Sequence, residues 1–262
     1  MSFIRRWKSE SLGGNLSLQN YKLIVQYEGT RYQGWQRQGT TGNTLQGKFE
    51  AILTKMSGNI VTVQASGRTD SGVHAYGQVV NFHIEKGRTP QEIMDYLNQY
   101  LPEDVAVIAI EEVPDRFHSR LHAKNKTYLY RVLNSSVPHI FDRRYVYQVE
   151  HLIDIHAMKK AAEFLIGTHD FKAFTSTKKS KKSTVRTIES IRIEKVGDEI
   201  QFQYQGNGFL YHMIRIMTGT LLEIGMGERG VSDIPVILES GLRERAGILL
   251  PAKGLTLIGV RY

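Results

Sequence analysis

Residues 188–205, IESIRIEKVGDEIQFQYQ, alternate apolar and polar side chains on either side of Gly197-Asp198. Period-two alternation interrupted by a Gly-Asp pair signals an antiparallel hairpin, so strands are expected over 188–196 and 199–205. Working outward, residues 154–166 place Ile155, Met158, Ala162, Leu165 and Ile166 on one helical stripe. Residues 209–224 do the same with Met213, Ile216, Met217, Leu221 and Ile224. Strands at 126–133 (KTYLYRVL) and 255–261 close the set at both ends, giving the order β-α-β-β-α-β. The upstream chain repeats that order. Strands are expected over 21–27, 60–64, 77–85 and 105–113, and a helix over 44–56. A second helix opens at Thr89-Pro90-Gln91-Glu92, which supplies an N-cap, a proline at the first helical position and a capping-box glutamate. The spacing therefore predicts an α+β chain of two ferredoxin-like or RRM-like βαββαβ halves, similar in element order and not in residue identity. Each half offers an antiparallel sheet with helices on one face, leaving an open face of the kind RNA-binding modules use.

Composition narrows the function classes. The 262 residues carry 34 Lys and Arg against 26 Asp and Glu, a formal net charge of +8. That surplus favours a polyanionic partner such as nucleic acid. The absence of cysteine excludes a disulfide framework, a thiolate nucleophile, Cys-ligated zinc and iron–sulfur clusters. Nine scattered histidines have no metal-ligand spacing, and no dinucleotide fingerprint, Walker loop or HExxH occurs, so neither metal nor cofactor is expected. No apolar run suits a membrane span, and the first twenty residues lack the apolar stretch of a secretory signal. The expected organisation is a flexible leader over 1–20, an N-terminal half over 21–118 and a C-terminal half over 119–262, in a cytoplasmic protein.

The chemistry concentrates in residues 65–77, ASGRTDSGVHAYG, between the second and third strands. Three glycines, an arginine and an aspartate suit an ordered polar loop better than a buried strand. Arg68 and Asp70 are two residues apart, on one face of an extended backbone. A guanidinium there would favour the ionised carboxylate and keep an anionic nucleophile ready.

GRTDSGVHA resembles the GRTDxGVHA signature of the tRNA pseudouridine synthase A family. Four further stretches are similar to that family in register. They are YEGT with GWQRQ over 27–38, FHSR followed by KTYLY over 117–130, GFLYHMIR over 208–215 and the closing GLTL over 254–257 through Tyr262. The resemblance runs from Tyr21 to Tyr262. It implies the pseudouridine synthase fold, with both halves joined into one mostly antiparallel central sheet, helices on one side and a catalytic cleft between the halves. It also implies isomerisation of uridine to pseudouridine in the tRNA anticodon stem-loop, at positions 38, 39 and 40, by a homodimer without cofactor. By position, Asp70 is the catalytic aspartate, Arg68 keeps it ionised, and Tyr128 contacts the substrate base. Arg215 reaches the aspartate or a phosphate, and His212 is a packing residue. Ser71 and the stretch Ile248–Lys253 depart from the family pattern. Lys178, Lys179, Lys181, Lys182 and Arg186 form a basic run without an acid, expected to bind RNA phosphate, with Arg37, Arg120, Lys124 and Lys126 extending that surface. Two alternatives stay open: a non-catalytic RNA-binding protein on tandem RRM-like units, and a pseudouridine synthase acting on another RNA.

Overall fold

The computed structural model describes residues 17–39, 41–177 and 182–262. In chain order the first half comprises β1 (Leu18–Tyr27), α1 (Leu45–Ser57), β2 (Val63–Ala65), β3 (His74–Glu85), α2 (Pro90–Tyr100) and β4 (Val105–Val113). The second comprises β5 (Asn125–Asn134), β6 (Tyr147–Val149), α3 (Ile155–Glu163), β7 (Gly167–Asp170), β8 (Val185–Val196), β9 (Glu199–Gly206), α4 (Met213–Gly225), α5 (Asp233–Ser240) and β10 (Leu255–Arg261). The helix signals act as expected. Thr89 and Glu92 form the reciprocal capping box of α2, and the Thr44 side chain accepts from the Gly47 N–H at the start of α1.

All ten strands belong to one sheet, ordered β4-β1-β3-β10-β5-β9-β8-β7, with β2 beside β3 and β6 beside β5. Setting aside the short β6 and β7, the four strands of each half share one spatial permutation, fourth, first, third and second: β4-β1-β3-β2 and β10-β5-β9-β8. Register shows which face is covered. Leu23 pairs with Val80, Tyr27 and Leu257 with Ala75, Leu257 with Tyr128, Tyr128 with Tyr204, and Tyr204 with Ile191. Nearly all of these side chains are buried, so the apolar rows of both halves share one face. The helices lie on it: Phe49 of α1 stacks on Trp35 at 6.0 Å, and Thr218 of α4 is hydrogen-bonded to Tyr204 Oη at 2.8 Å. The α+β architecture, the mostly antiparallel joined sheet and the one-sided helices match the expectation.

The junction of the halves is narrow. Only Thr256↔His74 and Leu257↔Ala75 join β10 to β3, in parallel. A Cβ on Gly77 would sit 2.5 Å from the Ile258 carbonyl oxygen, so glycine permits this approach. Farther along, β3 pairs with β2 through Val80–Phe82. The loop over residues 66–73, which links β2 to β3, therefore opens where the two halves meet.

Some expectations need correction. The leader does not extend to residue 20, because Leu18 to Asn20 pair with Glu85 to His83 and Asn20 Nδ2 donates to the Phe117 carbonyl at 2.9 Å. Residues 1–16 lie outside the described residues. Helix α3 stops at Glu163, and α4 begins at Met213 because His212 takes a left-handed backbone, φ 66°. Strands β6 and β7 and helix α5 were not anticipated.

Candidate active site

Loop 66–73 is fixed by contacts reaching it from several directions. Ser66 Oγ donates to Gln78 Oε1 at 2.7 Å, and Gln78 Nε2 donates to the Gly67 carbonyl at 2.9 Å. The Trp35 N–H donates to the Thr69 carbonyl at 3.0 Å, and Thr69 Oγ1 is hydrogen-bonded to Tyr27 Oη at 2.8 Å. Ser71 Oγ donates to the Tyr32 carbonyl at 2.9 Å. Gly34, at φ 87°, lies so close that a Cβ would meet the Thr69 carbonyl oxygen at 2.9 Å. The polar loop expected from its composition is thus a rigid platform.

That platform aims Asp70 into a cavity of about 540 Å³, also lined by Trp35, Arg68, Arg120, Lys126, Tyr128 and Phe209. The Asp70 side chain is 19% exposed. Arg215 Nη1 donates to its Oδ2 at 3.3 Å, and His212 Nε2 lies 3.6 Å from the same oxygen. Arg215 is itself anchored, since its Nε donates to the Leu250 carbonyl at 2.7 Å. This is a backbone contact, so the altered side chains of residues 248–253 leave it intact. Among the described residues Asp70 Oδ1 has no hydrogen bond or ion pair. The carboxylate is therefore held by one oxygen and offers the other.

Arg68 is exposed at the cavity wall and forms no ion pair with Asp70. The ion partner is Arg215, 145 residues away in sequence. The packing role expected for His212 also gives way. It is the single non-glycine residue with positive φ among the described residues. Its Nδ1 is hydrogen-bonded to Ser176 Oγ at 2.8 Å, and its ring stacks on Tyr211 at 3.6 Å. Burial lowers its pKa, opposed in part by the negative charge of Asp70, so the neutral imidazole is favoured.

Tyr128 meets Phe209 edge-on, with centroids 5.4 Å apart, and among the described residues its Oη makes no hydrogen bond. Burial, with the charges of Tyr27 and Asp70, raises its pKa and keeps the O–H as a donor at neutral pH. Two residues earlier, Lys126 Nζ donates to the Ser66 carbonyl. Lys178, Lys179 and Lys181 lie outside the described residues. Lys182 is exposed, and Arg186 is half-buried with Nη1 donating to the Ser183 and Val185 carbonyls. Sequence reasoning missed Trp35 and Phe209 as cavity walls. Both stand inside matched motifs, which was the available signal.

Away from this cavity, His139, Asp142 and Glu199 come within metal-chelating distance of one another. The Arg131 guanidinium already bridges both carboxylates, 3.1 Å from Asp142 and 2.5 Å from Glu199, so this cluster is an ion-pair network.

Residues 23–121 and 161–262 match the family described as tRNA pseudouridine synthase. A tRNA pseudouridine synthase A of Bacillus sp. (strain KSM-64) is 46% identical over 94% of this chain and all of its own length. The tRNA pseudouridine synthase A 1 of Clostridium tetani (strain Massachusetts / E88) is 44% identical over the same shares. Among solved structures, one titled "Crystal Structure of a Cbf5-Nop10-Gar1 Complex" overlaps at a TM-score of 0.34 and 14% identity, over 77% of this chain and 45% of that one, an overlap too weak to bear on the fold.

Proposed function

This chain belongs to the tRNA pseudouridine synthase family, whose members isomerise uridine to pseudouridine in tRNA, and from that premise we propose that Asp70 is its catalytic carboxylate. The reaction breaks the N1–C1′ bond and joins C5 to C1′. C5 gives up a proton and N1 gains one, so the product is an isomer and no oxidant or reductant is consumed. Membership of an enzyme family sets aside the non-catalytic RNA-binding alternative.

One observation carries the assignment: Arg215 donates to Oδ2, with the His212 ring 3.6 Å from the same oxygen, while among the described residues Oδ1 has no partner at a cavity wall shared with Tyr128. Oδ1 is then the oxygen that acts on the ribose or the base. A uridine stacked in helical RNA hides its glycosidic bond, so the nucleotide must be extruded to reach this carboxylate. The cavity volume suits one nucleoside, with the Tyr128 ring against the base and its O–H available to a uracil oxygen. Arg68, exposed at the wall, is placed to meet the RNA strand.

The resemblance of the motifs supports the finer substrate, uridines 38, 39 and 40 of the anticodon stem-loop, modified by a homodimer, and a cytoplasmic location completes the proposal. Among the described residues no helix is long and apolar enough to cross a membrane. Assay of pseudouridine in tRNA tests the assignment. Asp70→Asn is expected to lower the rate more than about a thousandfold while tRNA binding persists. An unchanged rate would refute it.

A further inference from the structure

The cavity holds a second feature that the isomerisation at Asp70 does not use. Lys126 and Tyr128 are two residues apart on β5, so both side chains leave the same face of the sheet. A Cβ on Gly67 would lie 3.4 Å from Tyr128 Oη and 3.6 Å from Lys126 Nζ, so the glycine leaves both polar ends uncovered. Lys126 is largely buried, yet among the described residues its ammonium meets only the Ser66 carbonyl and no carboxylate. Its pKa falls to about 8, first through burial and then through the charges of Arg120 and Arg186. Arg120, exposed on the cavity wall, has no hydrogen bond or ion pair from its guanidinium among the described residues. Arg186 donates only to backbone carbonyls, and burial together with Arg120 lowers its pKa. Among the described residues none of the three has an acidic partner, and Lys126 is the most enclosed of them, with Arg120 exposed at the cavity wall and Arg186 half-buried. A buried unpaired charge is costly and persists where an opposite charge completes the site. Neutral uracil oxygens bring no charge to offset the Lys126 ammonium, whereas a phosphodiester brings one negative charge and several acceptor oxygens that the neighbouring guanidinium groups can share.

We propose that Lys126, Arg120 and Arg186 form a subsite for one backbone phosphate of the RNA strand, next to the uridine that Tyr128 and Asp70 receive. The subsite rests on the functional assignment above for the identity of its RNA and on the unpaired cations for its existence. It fixes the register of the strand by charge alone, and leaves the choice of base to the other wall of the cavity.

A chemical double-mutant cycle tests it. Full-length tRNA is ligated from synthetic pieces, each version carrying one neutral methylphosphonate near the target uridine. Kd is then measured by filter binding for the wild type and for Lys126→Met. At one phosphate position the methylphosphonate is expected to weaken wild-type binding about tenfold and to leave the Kd of Lys126→Met unchanged. Lys126→Arg is expected to recover most of the wild-type sensitivity, which a merely misfolded Lys126→Met would not allow. Equal losses for both proteins at every position, or an unaltered Kd for Lys126→Met on unsubstituted tRNA, would overturn the subsite. Wild-type protein that shows the expected cycle but forms no pseudouridine would sustain the subsite and overturn the functional assignment instead.

Discussion

His212 bears a left-handed backbone conformation that costs a non-glycine residue on the order of 1 kcal/mol. Such a conformation persists where surrounding contacts over-determine it, and here they are the Ser176 hydrogen bond and the Tyr211 stack. The outcome is an imidazole aimed at Asp70 Oδ2. Asparagine tolerates the same backbone but is too short to reach, so His212→Asn isolates the positioning effect. The variant is expected to lower kcat by about tenfold to a hundredfold with KM little changed, measured on the same tRNA. An unaltered kcat would mean that Arg215 alone orients the carboxylate. This role was illegible in the sequence because helical periodicity runs through residue 212 unbroken. Asp70 was legible because its neighbours form a specific motif. Its ion partner was misassigned for a related reason: proximity in sequence favoured Arg68, whereas folding brings Arg215 from the far half.

Among the elements, loop 66–73 depends on the preceding turn at Gly34. That glycine is at φ 87°, and a Cβ there would meet the backbone of Thr69, Asp70 and Ser71. Gly34→Ala adds strain and pushes directly on the segment carrying Asp70. It is expected to destabilise the fold by about 1–3 kcal/mol in urea unfolding and to lower kcat even at temperatures where the variant is fully folded. Wild-type kcat in the folded variant would show that the loop is braced without Gly34. Elements with strong local signals were legible, as the capping box of α2 shows. Strands β6 and β7, at three and four residues, are too short to display a period. The start of α4 was read four residues early because Phe209 and Leu210 extend the apolar pattern past the point where the backbone turns.

For the molecule as a whole, the two halves share one contiguous core across a joint of only two residue pairs. Residues 117–119 reinforce it, since the Phe117 carbonyl accepts from Asn20 while Tyr262 Oη donates to the Ser119 carbonyl at 2.7 Å. Shared burial outweighs the narrow strand pairing, so the halves are expected to unfold together. In urea, Trp35 fluorescence in a Trp7→Phe background and far-UV circular dichroism should give coincident transitions, and separated midpoints would show independent halves. The repeated element order was readable in advance because it depends on local periodicity. The parallel contact of β3 with β10 was not, because nothing in either strand's pattern names a partner some 180 residues away. The division of the site across this joint has a consequence for synthesis. The carboxylate is made early, but the side chains that hold it, and the Leu250 carbonyl that holds Arg215, come from the far end of the chain. On the proposed role of Asp70, a polypeptide still emerging from the ribosome carries the carboxylate without its anchors and is expected to gain activity only when translation is nearly complete.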